Sequence, residues 1–106
     1  MKGDGGVFVR LFSSAIDPSD LSEVRRIFSE DIKPVFESLP GCTSMELVLG
    51  VDRNAGGLVE AGALSRWKSR DDLDAAIESR AVAESMVRIL PFLQLEPVIR
   101  MFEILE

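Results

Sequence analysis

Between Leu58 and Ser79 the chain reads LVEAGALSRWKSRDDLDAAIES, an alternating apolar stretch that ends in Arg66-Trp67 and passes directly into a capped helix. The stretch before Trp67 alternates with the period of two expected of a half-buried strand, whereas Leu73, Ala76 and Ile77 recur at helical spacing. Ser69 marks the change, because its hydroxyl and the carboxylate of Asp72 form a capping-box pattern. A strand that gives way to a helix with so short a connection constrains the fold strongly, since the helix must pack back on the sheet it has left.

The other elements fall into place around this pair. Val7 to Ile16 is rich in valine, phenylalanine and leucine around Arg10 and reads as a first strand, stopped by the turn residues Asp17-Pro18. Asp17 can cap the helix that follows. Pro18 suits the first helical position because its missing N–H would be unpaired there anyway, and Asp20 and Glu23 complement the positive end of the dipole. Leu21, Val24, Ile27, Phe28, Ile32, Val35, Phe36 and Leu39 form one broad apolar stripe. Pro34 predicts a kink near Glu30 to Lys33, because its ring removes a backbone hydrogen bond and crowds the preceding turn. Pro40-Gly41 stops the helix, Thr43 to Val51 reads as the second strand, and Asp52-Arg53-Asn54-Ala55-Gly56-Gly57 closes a hairpin to the third, Leu58 to Trp67. In the second helix the apolar phase shifts to Val82, Met86, Ile89, Leu90 and Leu93, which predicts a break around Ser79-Arg80, with Pro91 limiting the second piece. Pro97 to Leu105 supplies a last strand.

The order strand, helix, strand, strand, helix, strand is the split βαβ, or ferredoxin-like, arrangement of an α+β domain: a four-stranded antiparallel sheet with both helices on one face. Strand parity predicts the covered face as Val7, Val9, Leu11; Met45, Leu47, Leu49; Val59, Ala61, Ala63; and Ile99, Met101, Leu105. The opposite parity holds Phe8, Arg10, Phe12; Glu46, Val48; Leu58, Glu60, Leu64; and Val98, Arg100, Phe102, Ile104. That set is too apolar for open water yet carries charges of both signs, as in an interface where ion pairs set register among hydrophobic contacts. The expectation is a homodimer with two sheets face to face, and Phe8, Arg10, Glu46, Glu60, Arg100 and Phe102 at the contact.

A length of 106 residues, 46% apolar and 28% charged, fits one soluble domain over residues 7–106 behind a flexible start at residues 1–6. No apolar run approaches the roughly 20 residues that span a bilayer. MKGDGG, followed by an apolar run interrupted at Arg10, lacks the layout of a signal peptide, so a cytoplasmic location is expected. The single cysteine, Cys42, cannot form an internal disulfide, which fits a reducing compartment. A net charge of −6 without a basic, aromatic-interleaved cluster makes nucleic acid and anionic membrane poor partners. There is no metal-ligand spacing, and the pair Asp71-Asp72 belongs to a helix cap.

Trp67, Ser69, Asp71 and Leu73, with PGCTSMEL at positions 40–47 and the terminal PVIRMFEIL, resemble the antibiotic biosynthesis monooxygenase (ABM) family of small dimeric α/β-barrel proteins. The resemblance spans roughly residues 7 to 105 and implies a dimeric α/β barrel. It also implies oxygenation of an electron-rich aromatic or quinol substrate without metal or flavin, so that no cofactor is expected. The alternative is a non-catalytic dimeric binder of a small apolar molecule. The chain departs from the family where histidines are common, at Ala76 and Ala81, where tyrosine is frequent, at Met45, and in having its only asparagine at Asn54. With no histidine to ligate iron, the family's usual route of haem degradation is not expected.

Candidate pocket residues are Trp67, Phe28, Phe36, Met45, Met86 and Phe92, each of which also reads as ordinary core. Arg10, Glu46, Glu60 and Arg100 read either as interface ion pairs or as a polar cluster that orients a substrate. Arg66 and Lys68 read as solvated, or as an attraction for an anion. Cys42 lies after a helix end with no histidine near in sequence, and reads as a small filler rather than a nucleophile.

Overall fold

A computed structural model describes residues 7–53 and 56–106; the expected flexible start at residues 1–6, and Asn54 and Ala55 of the hairpin turn, lie outside the described residues. Four strands, β1 (Val7–Ile16), β2 (Cys42–Arg53), β3 (Val59–Trp67) and β4 (Val98–Ile104), form one antiparallel sheet in the order β2-β3-β1-β4. This is the ferredoxin-like α+β fold expected from the order of elements. No described helix is long and apolar enough to cross a membrane.

The first helical run follows its local signals. Asp17 accepts a hydrogen bond from the Ser19 backbone N–H at 2.9 Å, Pro18–Asp20 makes a tight 3-10 turn, and α1 (Leu21–Ile27) continues from it. The kink expected before Pro34 takes the form of a π-helical segment, Phe28–Ile32, which leads into α2 (Lys33–Glu37). Widening the helix there accommodates a ring that would crowd the carbonyl one turn back. Lys33 Nζ then donates to the Met45 carbonyl at 2.7 Å and ties the helix to β2. Gly41 closes the run with φ of +82°, and a Cβ there would lie 2.6 Å from Asp72 Cβ. Only glycine combines this backbone with this proximity.

Ser69 caps α3 (Arg70–Ile77), its Oγ accepting from the Asp72 N–H at 3.1 Å. Ser79 caps α4 (Arg80–Met86), so the helix breaks where the apolar phase shifts. Leu73, Ala76 and Val82 face inward, whereas Ile77, read as part of the inner face, is exposed. With Ile16, Val24, Ile27, Phe28, Ile32 and Phe36 they build one continuous core between helices and sheet. Each such large side chain, fully buried, contributes about 1.5–3 kcal/mol of apolar transfer.

One parity assignment reverses. Phe8 pairs with Trp67, Phe12 with Ala63 and Ile16 with Val59, and directly opposed residues share a face. Trp67, Ala61 and Val59 lie on the helix side, so Phe8, Arg10 and Phe12 do too, and Val7, Val9 and Leu11 turn to the open face. The cause is that β1 is an inner strand, flanked by β3 and β4, where both parities are apolar and alternation stops being diagnostic. Phe8 and Arg10 therefore leave the expected interface set; Glu46, Glu60, Arg100 and Phe102 remain on the open face.

Candidate functional site

Between the sheet and the helices lies an apolar cavity of about 40 Å³. Phe12 and Ile16 of β1, Leu47 of β2, and Ala61, Gly62 and Ala63 of β3 form its sheet wall; Val24, Phe28, Ile32, Met86, Ile89 and Leu93 close it from the helical side. The short side chains of β3 leave the space, and the π-helical segment sets Phe28 and Ile32 at its edge. None of the lining side chains is titratable. A benzene ring occupies an engineered cavity of roughly 150 Å³, so a ring enters only if a wall yields. Met86, half-buried and unbranched, is the wall side chain best able to do so.

Of the expected pocket residues, Phe28 and Met86 line this cavity, while Trp67, Phe36, Met45 and Phe92 do not. Trp67 is fully buried, its ring 6.4 Å from that of Phe36 at 62° in an edge-on contact, and Met45 is buried in the same core. Trp67 is thus packed within the core, away from this cavity. Phe92 packs against the core from a short 3-10 turn, Leu90–Phe92. Phe12, Ile16, Leu47 and the Ala61-Gly62-Ala63 run were missed as lining residues; the run of small side chains in an otherwise bulky sheet was the available signal.

Arg10 lies beside the cavity rather than on the open face. It stands opposite Ser65 on one side and Met101 on the other, with its guanidinium 5.7 Å from the centroid of the Phe12 ring that lines the cavity. Its Nε is buried without a hydrogen-bond partner, and burial pushes the guanidinium pKa below its ordinary value.

On the open face, Glu46, Leu64, Leu11 and Arg100 occupy one row across all four strands, with the two charges at opposite edges. Neither forms an ion pair with a described residue of the same chain; Arg100 rests 5.1 Å from the Phe102 ring centroid. Val48, Val98 and Phe102 are exposed beside them, so the face presents apolar surface between separated charges. The expected polar cluster of Arg10, Glu46, Glu60 and Arg100 does not assemble, because Arg10 projects to the other side of the sheet.

Cys42 is half-buried, its thiol donating to the Ser44 carbonyl at 3.5 Å, and burial raises its pKa. A thiol so placed is a poor nucleophile. Among the described residues no group of acidic or cysteine side chains could hold a metal ion.

No protein-family model matches the sequence, and no curated protein is significantly similar to it. Solved structures are similar in fold. A Nitrosomonas europaea protein named "Putative antibiotic biosynthesis monooxygenase" superposes with a TM-score of 0.74 at 10% identity, over 99% of this chain and 96% of its own. A Bacillus cereus protein of the same name gives 0.73 at 14% identity, over 96% of each chain. Rv0793 from Mycobacterium tuberculosis gives 0.68 at 20% identity, over 94% of this chain and 96% of its own. The chain has the fold of the ABM structures over nearly its whole length.

Proposed function

We propose that this chain, built on the fold of the antibiotic biosynthesis monooxygenases, is a homodimer that takes a small aromatic or quinol-type molecule between its sheet and helices and oxygenates it without metal or flavin. The observation that carries the reading is the apolar cavity bounded by Phe12, Phe28 and Met86, with no titratable side chain in its lining. Cofactor-free oxygenation asks the protein chiefly for enclosure and orientation, because a deprotonated substrate itself delivers electrons to oxygen. At a methylene carbon the balance closes without a reductant: one oxygen atom becomes the product carbonyl and the other leaves with both hydrogens as water. The lone cysteine and acidic balance suit a cytoplasmic protein.

The dimer reading rests on charge complementarity. Turned about a two-fold axis, the row that carries Glu46 at one edge and Arg100 at the other matches itself, and Val48, Val98 and Phe102 leave water in the same contact.

A second reading, a non-catalytic binder, is favoured by the lack of histidine and tyrosine in the chain and of any carboxylate in the cavity lining, which leaves no proton acceptor at the site. Oxygen uptake and calorimetric titration, measured over the same panel of quinols and polyphenols, separate the two. Protein-dependent, saturable oxygen uptake supports the oxygenase. Saturable binding heat with uptake at the buffer rate favours the binder, and neither response would refute both.

A further inference from the structure

We infer that Arg10 recognises an ionised oxygen on the ligand, so that the site selects a small aromatic anion over its neutral isostere. This deepens the proposed function and rests on the same cavity. An arginine drawn into a protein is normally matched by a carboxylate or by hydrogen-bond acceptors, because an uncompensated charge away from water is expensive. Arg10 is half-buried: its Nε is buried without a hydrogen-bond partner, and among the described residues no ion pair engages it.

Its same-face neighbours are Phe8 and Phe12 in β1 and, diagonally in β4, Glu103, which forms no ion pair with it. Met101 flanks it in β4, and across β3 the Ser65 hydroxyl already accepts from the Trp67 indole at 2.9 Å. Its guanidinium lies over the ring of Phe12, and Phe12 is also a wall of the cavity. One ring thus joins an apolar compartment to an unmatched cation. A planar guanidinium offers a two-pronged donor set to a carboxylate and a single strong bond to a phenolate, while the ligand's ring takes the apolar side. Since the chain carries a net charge of −6, its overall field repels anions, and any preference for one has to arise locally.

The test is calorimetric titration of the full chain with 1-naphthoate and 1-naphthamide, which share shape and differ in charge. Wild type is expected to bind the carboxylate about tenfold tighter than the amide, the scale of one charge-assisted contact. Arg10→Leu should abolish that difference, chiefly through loss of carboxylate affinity. Arg10→Lys, which keeps the charge and loses the fork, should retain part of it, and it serves if the leucine variant does not fold. Equal affinities in wild type, or a preference that survives Arg10→Leu, would overturn the assignment while leaving the cavity reading intact. Failure of both compounds to bind would overturn the two together.

Discussion

The indole Nε1 of Trp67 donates to Ser65 Oγ at 2.9 Å, and both side chains are almost completely buried on the helix side of β3. The bond satisfies the polar atoms of a filled core. Trp67→Phe removes the donor, leaves the serine hydroxyl short of a partner and thins the contact with Phe36. The expected loss is about 1–3 kcal/mol in urea denaturation, with 1-naphthamide affinity unchanged. A near-neutral stability change with lost binding would place the ring in the ligand wall instead.

The row that links Glu46 to Arg100 makes the dimer testable by charge reversal. Sedimentation of the wild type at micromolar concentration is expected to give twice the chain mass. Glu46→Arg or Arg100→Glu alone should shift the protein toward monomer, because like charges then meet across the two-fold, and the double variant should recover the dimer. Equal behaviour of single and double variants would remove these residues from the contact.

Much of the fold is legible in local chemistry. Ser69, Ser79, Asp17 and Pro34 act on the backbone within a turn of themselves, and the caps, the break and the helical distortion occur where those residues place them. The face of β1 was not legible: Val7, Val9 and Leu11 look like an inner row until Phe8 is found opposite Trp67. Pairing is a long-range property, and an inner strand with apolar residues on both sides gives no local sign of it. The cavity escaped for a related reason. Large residues such as Trp67 draw notice, but space arises where side chains are short, at Ala61, Gly62 and Ala63.

Cys42 offers a check on the chemistry assigned to it. Burial raises its pKa, so at a given pH a smaller fraction is thiolate than in a free thiol. Alkylation by iodoacetamide at pH 8 should be several-fold slower than for an unstructured cysteine peptide, and should accelerate as pH rises beyond the ordinary thiol range. A rate above that of the peptide would mean an activated cysteine and a different reaction class.

The cavity itself is best examined through the methyl resonances of the methionines at positions 1, 45, 86 and 101. Met86 lines the cavity, Met45 sits in the filled core and Met101 lies exposed on β4, so one spectrum distinguishes entry between sheet and helices from adhesion to the outer strand. Titration with 1-naphthamide is expected to shift the Met86 methyl saturably, with Met45 nearly unmoved. Saturable shifts confined to Met101, or no saturable shift at Met86, would contradict a ligand site in the cavity.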